Sequence, residues 1–334
     1  LNRRWVFKLL SVSSLSLGIP QFLKASGNKE VDKAKNRGSF SLDGNVLRFT
    51  HPEIREAFSV TMIADTHLFQ DDSRGTPYLQ FSGRMAKAYN ETRHFQSGET
   101  INPKIGFEQA LFKAQEEKSS LIALVGDIFS FPSEAAIEWV YQKMEACGIP
   151  YLYTAGNHDW HYEGMEGTLD YLRDSWISNR LSKFYKGRNP MCQVLEIYGV
   201  KFVFLDNSTY EIKQQQLDFL RDSLMEEKPT VILVHIPLYA PGRSVWFGCG
   251  HPDWNAANDI NYELERRPPW RENGHTEITR EFYNAVFASH NIIGILAGHI
   301  HNQSVDIING IPQIVTESNA EGGYLQVHFT PSRP

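Results

Sequence analysis

This sequence predicts a layered α/β fold. From Phe40 onward, short apolar runs alternate with amphipathic helical segments. Several of the runs are apolar at every position, as expected of strands covered on both faces. Five of them end in short motifs of Asp, Asn and His, and in open α/β sheets ligands bind outside the carboxyl ends of the strands.

The elements follow in chain order. Strands are expected at 45–49, 59–64, 121–125, 151–154, 192–197, 201–205, 230–235, 292–296, 303–308, 313–316 and 324–329. Each is a short apolar or alternating run, and Tyr198-Gly199 reads as a hairpin turn between two of them. Amphipathic spacing predicts helices at 107–118, 133–147, 168–178, 213–225 and 276–289. Two segments break the rhythm. Residues 68–104 are polar and aromatic with little periodicity, and residues 237–275 are rich in Pro, Gly, Trp and charge. Loops of that length are uncommon unless functional or disordered.

Composition bounds the function. Of 334 residues, 41% are hydrophobic and 22% charged, the balance of an ordinary globular protein with ample material for a core. The formal net charge of −6 makes nucleic acid an unexpected partner. Cys147, Cys192 and Cys249 show no CxxC spacing, which excludes a zinc knuckle or redox pair of that type. They read as small buried hydrophobes, although the Gly-rich loop around Cys249 leaves room for exposure there. At the N-terminus, Arg3 and Arg4 precede the apolar stretch LLSVSSLSLGI, which is too short to span a bilayer. The pattern reads as an export signal, so a periplasmic or secreted protein without a stable membrane anchor is expected. NRRWVFK resembles a twin-arginine signal, with a Sec signal as the alternative. The expected organisation is a signal-like segment at 1–25, a polar linker at 26–39 and one domain at 40–334, with insertions near 68–104 and 237–275.

The five motifs carry the chemistry. VTMIA runs into Asp65-Thr66-His67, LIALV into Gly126-Asp127, and YLYTA into Gly156-Asn157-His158-Asp159. VILV ends at His235, and IIGILA at Gly298-His299-Ile300-His301. Neutral imidazoles, an amide oxygen and carboxylates suit a pair of borderline divalent cations without making the site too anionic for phosphate. In extended backbone, the i, i+2 steps Asp65–His67 and His299–His301 place both side chains on one face. The glycines at 126, 156 and 298 allow sharp turns. Singly each motif is weak; the five in this order, each after a β-type run, form one specific pattern.

As a set, these motifs resemble the signature of the calcineurin-like metallophosphoesterase superfamily over roughly residues 58–303. The resemblance implies a four-layer α/β/β/α sandwich of two mixed sheets with the metal centre at the strand ends. It implies that Asp65, His67 and His301 hold one metal, that Asn157, His235 and His299 hold a second, and that Asp127 bridges them. His158 would protonate the leaving oxygen, with Asp159 orienting its ring. A bridging hydroxide would attack phosphorus in line. The two divalent ions remain open among Mn, Fe, Zn and Co.

Departures narrow the branch. Ser130 stands where purple acid phosphatases place a Tyr, and those enzymes lack a match for His67. GDIFS and GNHD differ from the GDxVDRG and GNHE of the serine/threonine phosphatases. What remains resembles the phosphodiesterase-type branch, a phosphodiesterase or phosphomonoesterase acting on a small phosphorylated substrate. Specificity is expected from Tyr78, Phe81, Arg84, Tyr89, Arg93 and His94 in the first insertion. In the second it is expected from Arg243, Trp246, Phe247, His251, Trp254 and Arg271. Asp206 stands either as a supporting carboxylate or as a turn cap through Asn207 and Ser208. The competing readings are a nuclease and a catalytically silent binding module. Against the second, every implied ligand position and His158 are present.

Overall fold

The computed structural model describes residues 37–89, 91–245, 247–254 and 274–332. The signal-like segment 1–25, residues 26–36 of the expected linker, Trp246 and Arg271 lie outside them. Strands within the described residues, in chain order, are β1 (Ser39–Asp43), β2 (Val46–His51), β3 (Phe58–Ile63), β4 (Thr92–Arg93), β5 (Thr100–Ile101), β6 (Leu121–Val125) and β7 (Tyr151–Thr154). They continue with β8 (Cys192–Ile197), β9 (Val200–Leu205), β10 (Thr230–Leu233), β11 (Ile292–Ala297), β12 (Ser304–Ile308), β13 (Ile311–Val315) and β14 (Leu325–Pro331).

Two six-stranded mixed sheets form the centre, in orders β1-β2-β14-β3-β6-β7 and β12-β13-β11-β10-β9-β8. In the first, β3, β6 and β7 run parallel. In the second, β9, β10, β11 and β13 run parallel. The carboxyl ends of each parallel set therefore share an edge of their sheet.

Side-chain alternation divides the apolar residues among three cores. On β6, Leu121, Ala123 and Val125 face the core between the sheets, while Ile122 and Leu124 face the helices. On β9, Phe202 and Phe204 face the inter-sheet core, and Val203 and Leu205 the opposite side. The outer cores pack against the helices Pro103–Glu116 and Glu134–Cys147 on one side and Gln214–Leu224 and Glu277–Ala288 on the other. This is the four-layer α/β/β/α sandwich. In its middle, Phe58 stacks on Phe329 at 4.7 Å and Phe202 meets Phe329 edge-on at 5.3 Å. Burial of each such ring contributes roughly 1.5–3 kcal/mol.

The helices start where capping side chains allow. Ser133, Thr168 and Thr276 accept backbone N–H groups from Ala136, Tyr171 and Thr279. The helix expected from 107 begins a turn earlier, because Asn102 caps it and Pro103 fits its first position. β1 begins at Ser39, the last residue of the expected linker. The segment 68–104 is not an unstructured loop. It holds a 3-10 turn at Ser73–Tyr78, single helical turns at Leu79–Ser82 and Met85–Ala88, and the β4–β5 ribbon. Cys249 is fully buried, not exposed. Among the described residues, no helix is long and apolar enough to cross a membrane.

Candidate metal centre

Five strand ends deliver the candidate donors. Asp65 and His67 follow β3, Asp127 follows β6, and Asn157 and His158 follow β7; His235 follows β10, and His299 and His301 follow β11. Both sheets contribute, and cross-sheet bonds fix the meeting. The backbone N–H of His299 donates to both oxygens of Asp65, at 3.1 and 2.9 Å. His235 Nδ1 donates to the Val125 carbonyl at 2.9 Å, leaving Nε2 aimed at Asp127 Oδ2, 3.1 Å away. That bond selects the tautomer a metal ligand needs.

Sheet pleat does not align the pairs, contrary to the expectation from i, i+2 spacing. Asp65 (φ 56°), His67 (φ 49°), Asp127 (φ 49°), His299 (φ 74°) and His301 (φ 61°) all occupy the left-handed region. The chain has already left the strand, and five non-glycine residues are held in a conformation that costs of order 1–3 kcal/mol each and clusters at functional sites. Of the motif glycines, Gly126 does need its positive φ of 79°. Gly298 is required for close approach instead, since a Cβ there would lie 2.5 Å from Asp65 Oδ2. Gly298→Ala is therefore expected to displace Asp65 and weaken metal uptake at least tenfold, with secondary structure retained. Metal titration together with circular dichroism checks this.

The donors form overlapping clusters. Asp65, His67 and His301 offer atoms within 4.8 Å of one another, as do Asp127, His235 and His299. His67 Nε2 lies 3.0 Å from His301 Nε2 and 3.8 Å from Asp127 Oδ2. Two imidazole nitrogens facing each other beside buried carboxylates fit a cation between them better than a direct bond. Asn157 is buried in the same loop as His158 and lines the same cavity. His158, set apart by the sequence reading, also comes within reach of His67 and Asp127.

Asp159 acts on this loop through its backbone. Its oxygens accept the N–H groups of Phe129 (2.8 Å) and Gly156 (2.7 Å), tying the loops after β6 and β7 together. Burial and the nearby Asp127 push its carboxyl up to about 7, against those two donors. Asp206 caps its turn, its Oδ1 accepting from Ser208, and its Oδ2 pairs with the buried Arg173 at 2.5 Å rather than with a candidate donor. Ser208 in turn accepts the indole N–H of Trp160, next to Asp159.

Charge in the metal-free chain is balanced by protons. Burial raises Asp127, but His235 and His158 outweigh it and hold the carboxyl well below its usual range. Burial lowers His235, yet Asp127 and Asp65 raise it to about 10. His301 is raised by Asp65 against the same burial. Burial and neighbouring imidazoles lower His67 and His299. Below pH 10, then, His235 carries a proton that an incoming cation must displace. Metal affinity is expected to fall up to about tenfold per pH unit for each proton displaced as pH drops. Calorimetry in buffers of different ionisation enthalpy should register release of about one proton or more at pH 7; none released would contradict this charge balance.

A cavity of about 340 Å³ lies over the cluster, with Arg84, Met85, Tyr89, Ser130, His158 and Asn302 in its wall. Of the residues expected to give specificity, Arg84 and Tyr89 are there. Tyr89 stacks flat on His67, ring centres 4.2 Å apart, and Arg84 pairs with Glu163 at 2.6 Å. Tyr78 instead packs on Tyr162 and Trp176. Arg243 pairs with Asp306, and Phe247, His251 and Trp254 are buried away from the cavity wall. Tyr210, which lies outside the five motifs, also joins the site: its hydroxyl lies 3.1 Å from His299 Nε2. Its only sequence signal was a Tyr following the Asp206-Asn207-Ser208 turn.

A family profile described as calcineurin-like phosphoesterase matches residues 58–303, which span all seven candidate donors. The chain is similar to a probable cyclic nucleotide phosphodiesterase of Moraxella catarrhalis (strain BBH18), 26% identical over 106 residues. That likeness covers 32% of this chain and 29% of the relative, so the chain spans under a third of that protein's length. Among solved structures it is similar to a dimetal phosphatase from Danio rerio, with TM-score 0.50 and 13% identity over 80% of this chain and 91% of that one. At that identity the likeness concerns the fold.

Proposed function

Because the chain belongs to the calcineurin-like phosphoesterase family, we propose that it hydrolyses a small phosphate diester or monoester with two divalent cations bound at the strand ends. One observation carries the reading: donors from five strand ends of two sheets meet beneath a single cavity, with Asp127 central to them. Asp65, His67 and His301 would hold one ion, and Asn157, His235 and His299 the other, with Asp127 between. When bound, such ions acidify a water and draw charge from the phosphoryl oxygens.

The chain's own groups do the rest. His158 lines the cavity and is partly buried, placed to give a proton to the departing oxygen. Its position is set by its backbone N–H, which donates to Asp127 Oδ1 at 2.7 Å. Arg84 and Asn302 offer donors to substrate oxygens, and Tyr89 a flat apolar wall. About 340 Å³ suits a small ester and lies at the low end of ligand cavities. The likeness to a probable cyclic nucleotide phosphodiesterase supports a diester. Export rests on the pattern at residues 1–25, and cell fractionation tests it.

The test of the activity is turnover of bis-p-nitrophenyl phosphate and p-nitrophenyl phosphate by manganese-loaded protein. Release of p-nitrophenol that chelation stops and manganese restores is expected. No metal-dependent release from either ester would favour a silent binding module, and cleavage of plasmid DNA a nuclease.

A further inference from the structure

We propose that Tyr210 is a positioning residue that decides which nitrogen of His299 faces the metal centre. The inference rests on the metal-centre reading above. A neutral imidazole has one N–H and one lone pair. The Nε2 of His299 lies 3.1 Å from the Tyr210 hydroxyl, so Nδ1 is the atom left for the cluster with Asp127 and His235. A cation on Nδ1 requires the ring proton on Nε2, where the phenolic oxygen accepts it. His235 is fixed in the opposite sense, with Nδ1 on the Val125 carbonyl and Nε2 toward Asp127. The two histidines thus reach the same carboxylate through different nitrogens, each chosen by an outer partner.

The phenol is held firmly enough to act this way. Tyr210 is 4% exposed and sits at φ 65°, a conformation a bulky side chain rarely adopts. Its backbone N–H donates to the Asn207 carbonyl at 2.7 Å. Its ring stacks on Trp254 at 4.2 Å, and Trp254 stacks on His275 at 5.1 Å. His275 Nδ1 meets the carboxylate of Glu211, the next residue after Tyr210, at 3.2 Å. Gly248 closes the stack, since a Cβ there would lie 2.7 Å from Trp254 and 2.9 Å from Tyr210. Trp254 and His275, both from the second insertion, thus brace a candidate ligand.

Tyr210→Phe keeps the ring and its stacking and removes only the hydroxyl. Loss of such an outer partner typically weakens metal binding about 10–100-fold. Calorimetric titration of metal-free Y210F with manganese should show one binding step weakened by that factor and the other unchanged, with the thermal midpoint near wild type. His299→Ala should lose the same step. Independently of any variant, imidazole nitrogen NMR of the zinc-loaded wild type should find the His299 proton on Nε2. Two steps of wild-type affinity in Y210F, or a His299 proton on Nδ1, would overturn the proposal while leaving the metal centre intact. A wild-type chain that takes up no ion would overturn the metal-centre reading itself, and this inference with it.

Discussion

Asp127→Asn is expected to lower kcat/KM by on the order of 10³-fold or more, the scale on which preorganised charge acts at a reacting centre. Asp127 is 1% exposed, and its Oδ2 lies 3.1 Å from His235 and 3.8 Å from His67. It is the anion common to the donors of both sheets. Asparagine preserves size and the Oδ1 that accepts the His158 N–H at 2.7 Å, so the loop after β7 should keep its place. What disappears is the negative charge, and with Oδ1 holding the His158 N–H the amide presents an NH2 donor where Oδ2 faced the imidazoles. In the metal-free variant His235 also loses the partner that raises it to about 10, so proton release on loading should fall. Steady-state kinetics at saturating manganese, with circular dichroism to verify folding, measures the effect. Activity within tenfold of wild type would contradict a central role for Asp127.

His158→Ala is expected to slow turnover by about 10²–10⁴-fold, the usual worth of a positioned proton donor, while both ions stay bound. The reasoning is geometric. The bond linking residue 158 to Asp127 comes from the backbone N–H, which alanine keeps. The imidazole stands edge-on to His67 with ring centres 4.9 Å apart, in the cavity wall. A proton donor matters most for a poor leaving group, so an alkyl ester should lose more than a nitrophenyl ester. Because His158 also lies within reach of His67 and Asp127, the opposite result is informative. Loss of an ion in this variant would make His158 a ligand and transfer the proton-donor role elsewhere.

Much of this architecture was legible because burial on two faces leaves a plain mark. LIALV is apolar throughout and YLYT is buried at every position, and β6 and β7 occupy the positions expected for them. β1 was missed because SFSLD lies at a sheet edge with alternating exposure, so its pattern is weak. β4 and β5 are two residues each and exist only as a local ribbon. The candidate donors could be read because each stands just past an apolar run. Their conformations could not, because left-handed φ at Asp65, His67, Asp127, His299 and His301 is imposed by tertiary bonds such as His299 N–H to Asp65. Tyr210 and Tyr89 were illegible as partners of His299 and His67 for a related reason. Each lies outside the strand-end motifs, and only folding brings its ring to the histidine.

Anomalous diffraction from crystals grown with manganese tests the central claim most directly. Two peaks about 3.5–4 Å apart are expected, one against Asp65, His67 and His301, the other against Asn157, His235 and His299, with Asp127 touching both. No peak beneath the cavity, or a single ion out of reach of Asp127, would contradict it.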